Sequence, residues 1–334
     1  MKAVVFDRFG EPSEVLSVRD VPVPEPKAGE VQVRMIASPV NPSDLMVVRG
    51  RYGVLPKLPA TPGFEGVGIV EKAGPGLLGR LVLGKRVAVP NSAGGNWAEY
   101  AVLPARQARP FPADIPDEQV ATCFVNPMTV LAMVRHVLKV PRGAWLLQSA
   151  AGSTLGRMVI KLAQHDGIKT VNVVRRREAI DELTALGADA VISSSDGPIP
   201  EQVRKVTGPD GPAFAIDCVG GETATGVFQS LGAEGRMLVY GTLSEQPFQV
   251  DPRPLIAGHK MVEGFWLGYW MRAQSIPAAL LLFREDAKLI RNGILASELG
   301  TSFPLEQIKA AVQHAEVVGR KGKVLLKIGP GSSS

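Results

Sequence analysis

The apolar run Trp145-Leu146-Leu147-Gln148 passes into Ser149-Ala150-Ala151-Gly152-Ser153-Thr154-Leu155-Gly156 and then into a helix-patterned stretch. Strand, small-residue turn and helix in this order suit a dinucleotide. Small residues let the backbone approach a pyrophosphate, and the free N–H groups of the helix start face it. The G-x-G-x-x-G register falls on Ala151, Ser153 and Gly156, so the match is degenerate, and a tight turn that binds nothing is the alternative. The next apolar run, Thr170 to Val174, ends in Arg175-Arg176-Arg177, where an NAD site would carry an acid for the ribose 2′-OH. Three cations there suit a 2′-phosphate, which a guanidinium binds bidentately, so the expected cofactor is NADP(H). The alternative for the arginines is a solvated basic patch.

Such residues need a scaffold, and 334 residues are enough for two domains. The texture changes near residue 120. Before it, β-rich runs such as Val31 to Ala37, Gly66 to Lys72 and Arg86 to Val89 are broken by Pro and Gly, as in a small irregular barrel. After it, strands alternate with helix-patterned segments: Trp145 to Gln148, Leu155 to His165, Thr170 to Val174, Ala179 to Leu186, Ala190 to Ile192, Ala213 to Cys218 and Arg236 to Tyr240. That alternation predicts an α/β unit, a doubly wound parallel sheet with helices on both faces. A helix over Ile276 to Arg291 is followed by a helix at Leu305 to Ala315 and a strand at Gly322 to Ile328, which we expect to return to the first domain.

The composition, 45% apolar and 21% charged, is that of a globular protein and excludes collagen, wholesale disorder and a disulfide scaffold. The net charge of +5 is scattered, with no like-charge block to mark a nucleic-acid arm. No apolar run reaches the ~18 residues of a membrane span, and the N-terminus opens as a strand, Lys2 to Phe6, so neither nucleic acid nor membrane is expected as a partner. Two cysteines, Cys123 and Cys218, fit a reducing compartment, and a cytoplasmic location is expected. Gly329 to Ser334 has the composition of a disordered end.

The sequence resembles the medium-chain dehydrogenase/reductase superfamily, in its zinc-free branch of quinone reductases and 2-enoyl thioester reductases. The first half carries the likeness to a GroES-like catalytic domain in Pro39-Val40-Asn41-Pro42-Ser43-Asp44, Gly50-Arg51-Tyr52, Pro62-Gly63-Phe64-Glu65-Gly66 and Gly84-Lys85-Arg86-Val87. The resemblance implies a GroES-like domain over 1–118 and 300–334, a Rossmann NADP-binding domain over 119–299, an active site in the cleft between them, and a homodimer. Zinc-containing relatives place Cys or His in the segment that here reads Asn41 to Asp44, and His where this chain has Phe64, so no metal is expected. Independently, two distant cysteines and the scattered His136, His165, His259 and His314 do not make a zinc ligand set; these histidines read as surface or helix residues.

Asn126-Pro127-Met128-Thr129, Asn172-Val173-Val174-Arg175 and Gly264-Phe265-Trp266-Leu267 resemble the enoyl thioester reductases more than the quinone reductases. By that resemblance NADPH is touched by Asn126 near the nicotinamide, by Gly152, Ser153, Thr154 and Leu155 around the pyrophosphate, and by Arg175, Arg176 and Arg177 at the adenosine phosphate. Tyr240, Gly241, Phe265, Trp266, Leu267 and Lys323 match the remaining contacts. The turn departs from this pattern, since Ala150-Ala151-Gly152 leans toward the quinone reductases.

The implied chemistry is reduction of an activated C=C, with hydride to the β-carbon and a proton to the α-carbon of a 2-enoyl thioester, enoyl-CoA or enoyl-carrier protein. Tyr52 is the expected donor, because a phenol of pKa about 10 carries its proton at neutral pH. The structural alternatives are a turn aromatic for Tyr52, a helix N-cap for Asn126, a turn cap for Asp217, and ordinary packing for the aromatics Phe265, Trp266, Tyr269 and Trp270. Arg49, Arg51 and Lys57 flank Tyr52 as phosphate contacts for a pantetheine arm or as solvated charges. Two other functions stay open: an NADPH:quinone oxidoreductase, which needs no positioned acid, and a reductase-fold protein that binds without catalysing.

Overall fold

A computed structural model describes residues 1–91 and 93–329. Of the expected disordered end, all but Gly329 lies outside the described residues. The chain forms two compact units: Met1–Asn126 with Ala287–Arg291 and Ala296–Ser334, and Pro127–Asp286 with Asn292–Leu295.

In the first unit, β1 (Lys2–Val5) pairs antiparallel with β2 (Ser17–Asp20). The ten-residue β3 (Glu30–Pro39) is the spine of a larger sheet. It pairs antiparallel with β4 (Val67–Ala73), which in turn pairs with β5 (Arg86–Ala88), and with β6 (Tyr100–Pro104); β7 (Arg109–Pro110) closes one edge against β5. Alternation drives this: Val31, Val33 and Met35 point to one face and pack with Val70, Val87 and Leu103, all buried. Burying each such side chain is worth roughly 1.5–3 kcal/mol. β3 and β4 approach closely because position 68 is Gly; a Cβ there would lie 2.3 Å from the Arg34 carbonyl oxygen. On the other side a second cluster gathers around Trp97, Phe6 and Leu326.

In the second unit, β8 (Trp145–Gln148), β9 (Lys169–Val174), β10 (Ala190–Ser193), β11 (Phe214–Asp217), β12 (Arg236–Val239) and β13 (Met261–Gly264) form one parallel sheet in the order β10-β9-β8-β11-β12-β13. Helices Thr154–Asp166, Ala179–Ala185, Ile199–Thr207 and Gly221–Ser230 lie in the crossovers. The strand order reverses between β8 and β11, and a ligand crevice opens at such a switch point, beyond the carboxyl ends of the strands. Leu147, Val171, Ala215 and Met237 are all fully buried, as strands covered on both faces require. The sequence pattern does not show β13, whose four residues include Glu263; that carboxylate pairs with Arg236 of β12 at 2.8 Å.

The last two strands, β14 (Leu299–Pro304) and β15 (Lys323–Lys327), belong to the first unit, with β15 antiparallel to β3 and parallel to β14.

The two glycines of the dinucleotide turn differ in their packing. A Cβ on Gly156 would meet the Ala151 carbonyl oxygen at 2.6 Å and its Cα at 2.7 Å, whereas a Cβ on Gly152 meets nothing within 4 Å. We expect Gly156→Ala to destabilise the protein by about 1–3 kcal/mol, as overpacking does, and Gly152→Ala to leave the urea midpoint where it is. Equal midpoints for the two variants would contradict the packing of the helix Thr154–Asp166 on its own turn.

Candidate active site

The turn after β8 uses each residue differently. Ala150 takes a positive φ of 48°, an uncommon choice for a residue with a Cβ. Ala151 is fully buried and donates its N–H to the Val173 carbonyl at 3.1 Å, pinning the turn to β9. Ser153 is the helix N-cap, and its Oγ accepts the Gly156 N–H at 3.0 Å. So Ala151 and Ser153, the two departures from the glycine pattern, have structural tasks. The first-turn amides of Thr154 and Leu155 have no acceptor further back along the helix.

Arg175, Arg176 and Arg177 follow β9 and are exposed. Arg177 forms an ion pair with Asp196 at 2.6 Å, so it is partly committed within the protein.

At the carboxyl ends of β11 and β12 stands a buried polar group. Asp217 Oδ2 caps the following turn by accepting the N–H of Val219 at 3.1 Å and of Gly220 at 2.9 Å, and the Ser149 hydroxyl hydrogen-bonds the same carboxyl. Burial raises the Asp217 carboxyl above its usual range and pushes the neighbouring Cys218 thiol up to about 11, which makes that cysteine chemically inert at neutral pH. The Tyr240 hydroxyl is buried beside them, and its acidity is suppressed by the same cause. Gly241 is required here: a Cβ would lie 2.8 Å from the Cβ of Cys218. One strand over, Phe265 donates its N–H to the Val239 carbonyl at 2.8 Å, which aligns Phe265 to Leu267 with the end of the sheet. Phe265 packs on Trp270 and Trp266 lies against Arg272, so part of the aromatic cluster is internal packing, while Tyr269 is exposed.

In the first unit, Tyr52 follows the helix Pro42–Val48 and is half-buried, its ring on that of Phe64 at a centroid distance of 5.2 Å. Phe64 also lines a cleft of about 200 Å³ together with Val47, Val54, Leu55, Pro56 and Asp44. Arg49 is engaged within the protein, bridging Glu11 at 2.8 Å and Glu316 at 2.6 Å. Arg51 and Lys57 are exposed.

Behind Phe64 lies a buried network that sequence reasoning missed. Asp44 Oδ1 accepts the Phe64 N–H at 3.0 Å and Oδ2 accepts the Asn41 N–H at 2.8 Å. Glu65 Oε1 accepts Asn41 Nδ2 at 3.0 Å; its Oε2 accepts the N–H groups of Phe124 at 3.0 Å and Val125 at 2.8 Å. Lys323, 2% exposed, donates its ammonium to Asn41 Oδ1. Burial raises both carboxyls, Asp44 to about 7, and lowers Lys323; the charges of Lys323 and Glu65 oppose this in each other. Asn126 is not the N-cap: the helix Val125–Leu131 has already begun, and the Glu65 carboxylate supplies the capping acceptor. Lys323 turns its charge inward, on a carboxamide and two carboxylates of its own unit.

The donor sets decide which groups fit. Among the described residues no three His, Cys, Asp or Glu side chains converge as metal ligands, and Asp44 and Glu65 are spent on N–H groups, so the residues do not fit a zinc ion. They do fit a dinucleotide, with the space beside Gly152 open and three arginines after β9.

Residues 27–113 match the model of the alcohol dehydrogenase GroES-like domain, and residues 154–285 match that of the zinc-binding dehydrogenases. The mitochondrial enoyl-[acyl-carrier-protein] reductase of Xenopus tropicalis is 36% identical over 326 residues, covering 94% of this chain and 92% of that protein. Its Arabidopsis thaliana counterpart is 34% identical, covering 96% and 86%. Among solved structures, Escherichia coli quinone oxidoreductase complexed with NADPH superposes with a TM-score of 0.90 at 25% identity, covering 98% of this chain and 100% of that one. A GroES-like β-rich unit, a parallel-sheet unit, the two dehydrogenase family models and the enoyl reductase and quinone oxidoreductase relatives place this chain in the medium-chain dehydrogenase/reductase superfamily, to which it belongs.

Proposed function

We propose that this protein is an NADPH-dependent reductase of activated double bonds, with a 2-enoyl thioester as substrate. The observation that carries the reading is the placement of Tyr52, bedded on the phenylalanine that walls an apolar cleft. A cleft of Val47, Val54, Leu55 and Pro56 suits an acyl chain, and the Tyr52 ring packs on Phe64, one of its walls. Bound NADPH supplies the hydride for the β-carbon. The chain does the rest: Thr154 and Leu155 amides hold the pyrophosphate, Arg175 and Arg176 take the 2′-phosphate with Arg177 shared with Asp196, and Tyr52 delivers its phenolic proton to the α-carbon. Asn126, Tyr240 and Phe265 to Leu267 orient the nicotinamide half.

A quinone is the second reading, favoured by the likeness to quinone oxidoreductase and by Ala150-Ala151-Gly152 in the turn. A quinone takes its protons from water and has no need of Tyr52. A cytoplasmic location and a homodimer complete the proposal. Cys123 and Cys218 are both buried, as suits a reducing compartment, and no helix among the described residues is long and apolar enough to cross a membrane. Among the described residues β13 ends its sheet with an unpaired edge and an exposed Met261, where a second copy can add its own β13.

Tyr52→Phe should lower the rate of NADPH oxidation with crotonyl-CoA by about 10²-fold or more and leave the NADPH Kd, followed by cofactor fluorescence, within about twofold. Undiminished turnover removes Tyr52 as the acid, and turnover with small quinones alone transfers the assignment to the second reading. Arg175→Glu should weaken NADPH far more than NADH; equal losses would contradict the 2′-phosphate contact. Sedimentation equilibrium should return twice the 35.5 kDa chain mass, and a proline at Val262 should return one.

A further inference from the structure

Three N–H donors converge on the Glu65 carboxylate: the Asn41 amide and the backbone groups of Phe124 and Val125. A carboxylate, being acceptor-only, satisfies all three, whereas the amide of a glutamine would turn an NH₂ against one of them. Asn41 has no freedom to adapt by flipping, because its carbonyl oxygen already faces the Lys323 ammonium. The side chain is 1% exposed, so each lost bond leaves a buried group unsatisfied. The backbone it grips is the entry to Asn126, and the adjoining residue, Phe64, is gripped by Asp44 and carries Tyr52 on its ring. One network thus holds both the segment of the cofactor contact and the bed of the proton donor.

We propose that Glu65 is a positioning residue for the reaction: oriented by Asn41 and Lys323, it fixes the Phe124–Val125 backbone that presents Asn126 to the nicotinamide. The proposal rests on the reading of Asn126 as a cofactor contact. A carboxylate that reaches no reacting atom acts here through geometry, and misplacement of a contact by an ångström can cost about 10²-fold in rate.

The test combines amide hydrogen exchange of the free protein with steady-state kinetics. The shorter Glu65→Asp, one methylene short of the backbone it grips, should raise exchange at Phe124 and Val125 at least tenfold, lower kcat with crotonyl-CoA at least tenfold, and leave the KM for the thioester within threefold. Glu65→Gln keeps its carbonyl on both backbone N–H groups by turning its NH₂ against the Asn41 amide, so exchange there should stay within threefold of wild type, and adding Lys323→Met lets Asn41 flip to relieve that clash. Unchanged exchange in Glu65→Asp overturns the proposal, and so does raised exchange with unaltered kcat. If the wild type reduces no enoyl thioester, the functional reading fails instead; Glu65 is then judged by whether the loosened variant binds NADPH with an altered fluorescence spectrum, an unaltered one counting against it.

Discussion

Lys323 donates its buried ammonium to Asn41 across a sequence separation of 282, and much of the β-rich unit's chemistry depends on that contact. A buried cation is tolerated only when counter-charge and hydrogen bonds compensate its lost hydration. Here the compensation comes first from Glu65, with Asp44 adding to it once ionised. Because the ammonium orients the Asn41 amide, the amide orients Glu65, and Glu65 takes the Phe124 and Val125 N–H groups, the last strand of the chain shapes a segment two hundred residues earlier. The return of β15 to β3 is therefore more than an edge being covered: it delivers the charge that makes the network electrostatically tenable.

How much of this the chain announces depends on whether a feature is local. The strand-turn-helix at 145–166 and the arginines after β9 are contiguous in sequence, and alternating apolar runs outline five of the six strands of the parallel sheet. β13 is hidden because two of its four residues, Glu263 and Gly264, carry no apolar signal. The Glu65 carboxylate is hidden for a different reason. Its partners lie 24, 59 and 60 residues away, and nothing in the run Gly63-Phe64-Glu65 tells a family motif from a helix cap supplied across the fold. Asn126 beside Pro127 looks like a cap by local rules, and that reading fails because a distant carboxylate has taken the task.

The dinucleotide turn shows the reverse case, in which sequence departures have simple physical content. Ala151 fills a fully buried position, and Ser153 contributes a capping oxygen that glycine lacks. Only Gly156 is held to glycine by contact, and Gly152 is free of neighbours on the side where a phosphate would lie. A fingerprint letter can thus be lost without its function when the backbone still makes the same approach.

The sealed environment of Asp44 has one more consequence, for the behaviour of the whole molecule in acid and base. Its carboxyl titrates at about 7 in the folded chain against an ordinary 3.8, so between those values the native state holds a proton that the unfolded chain has released. The sign is opposite to that of Asp7 or Asp251, whose arginine partners favour ionisation. Alkalinisation through this window therefore withdraws folding free energy at Asp44, whereas mild acidity favours the folded chain.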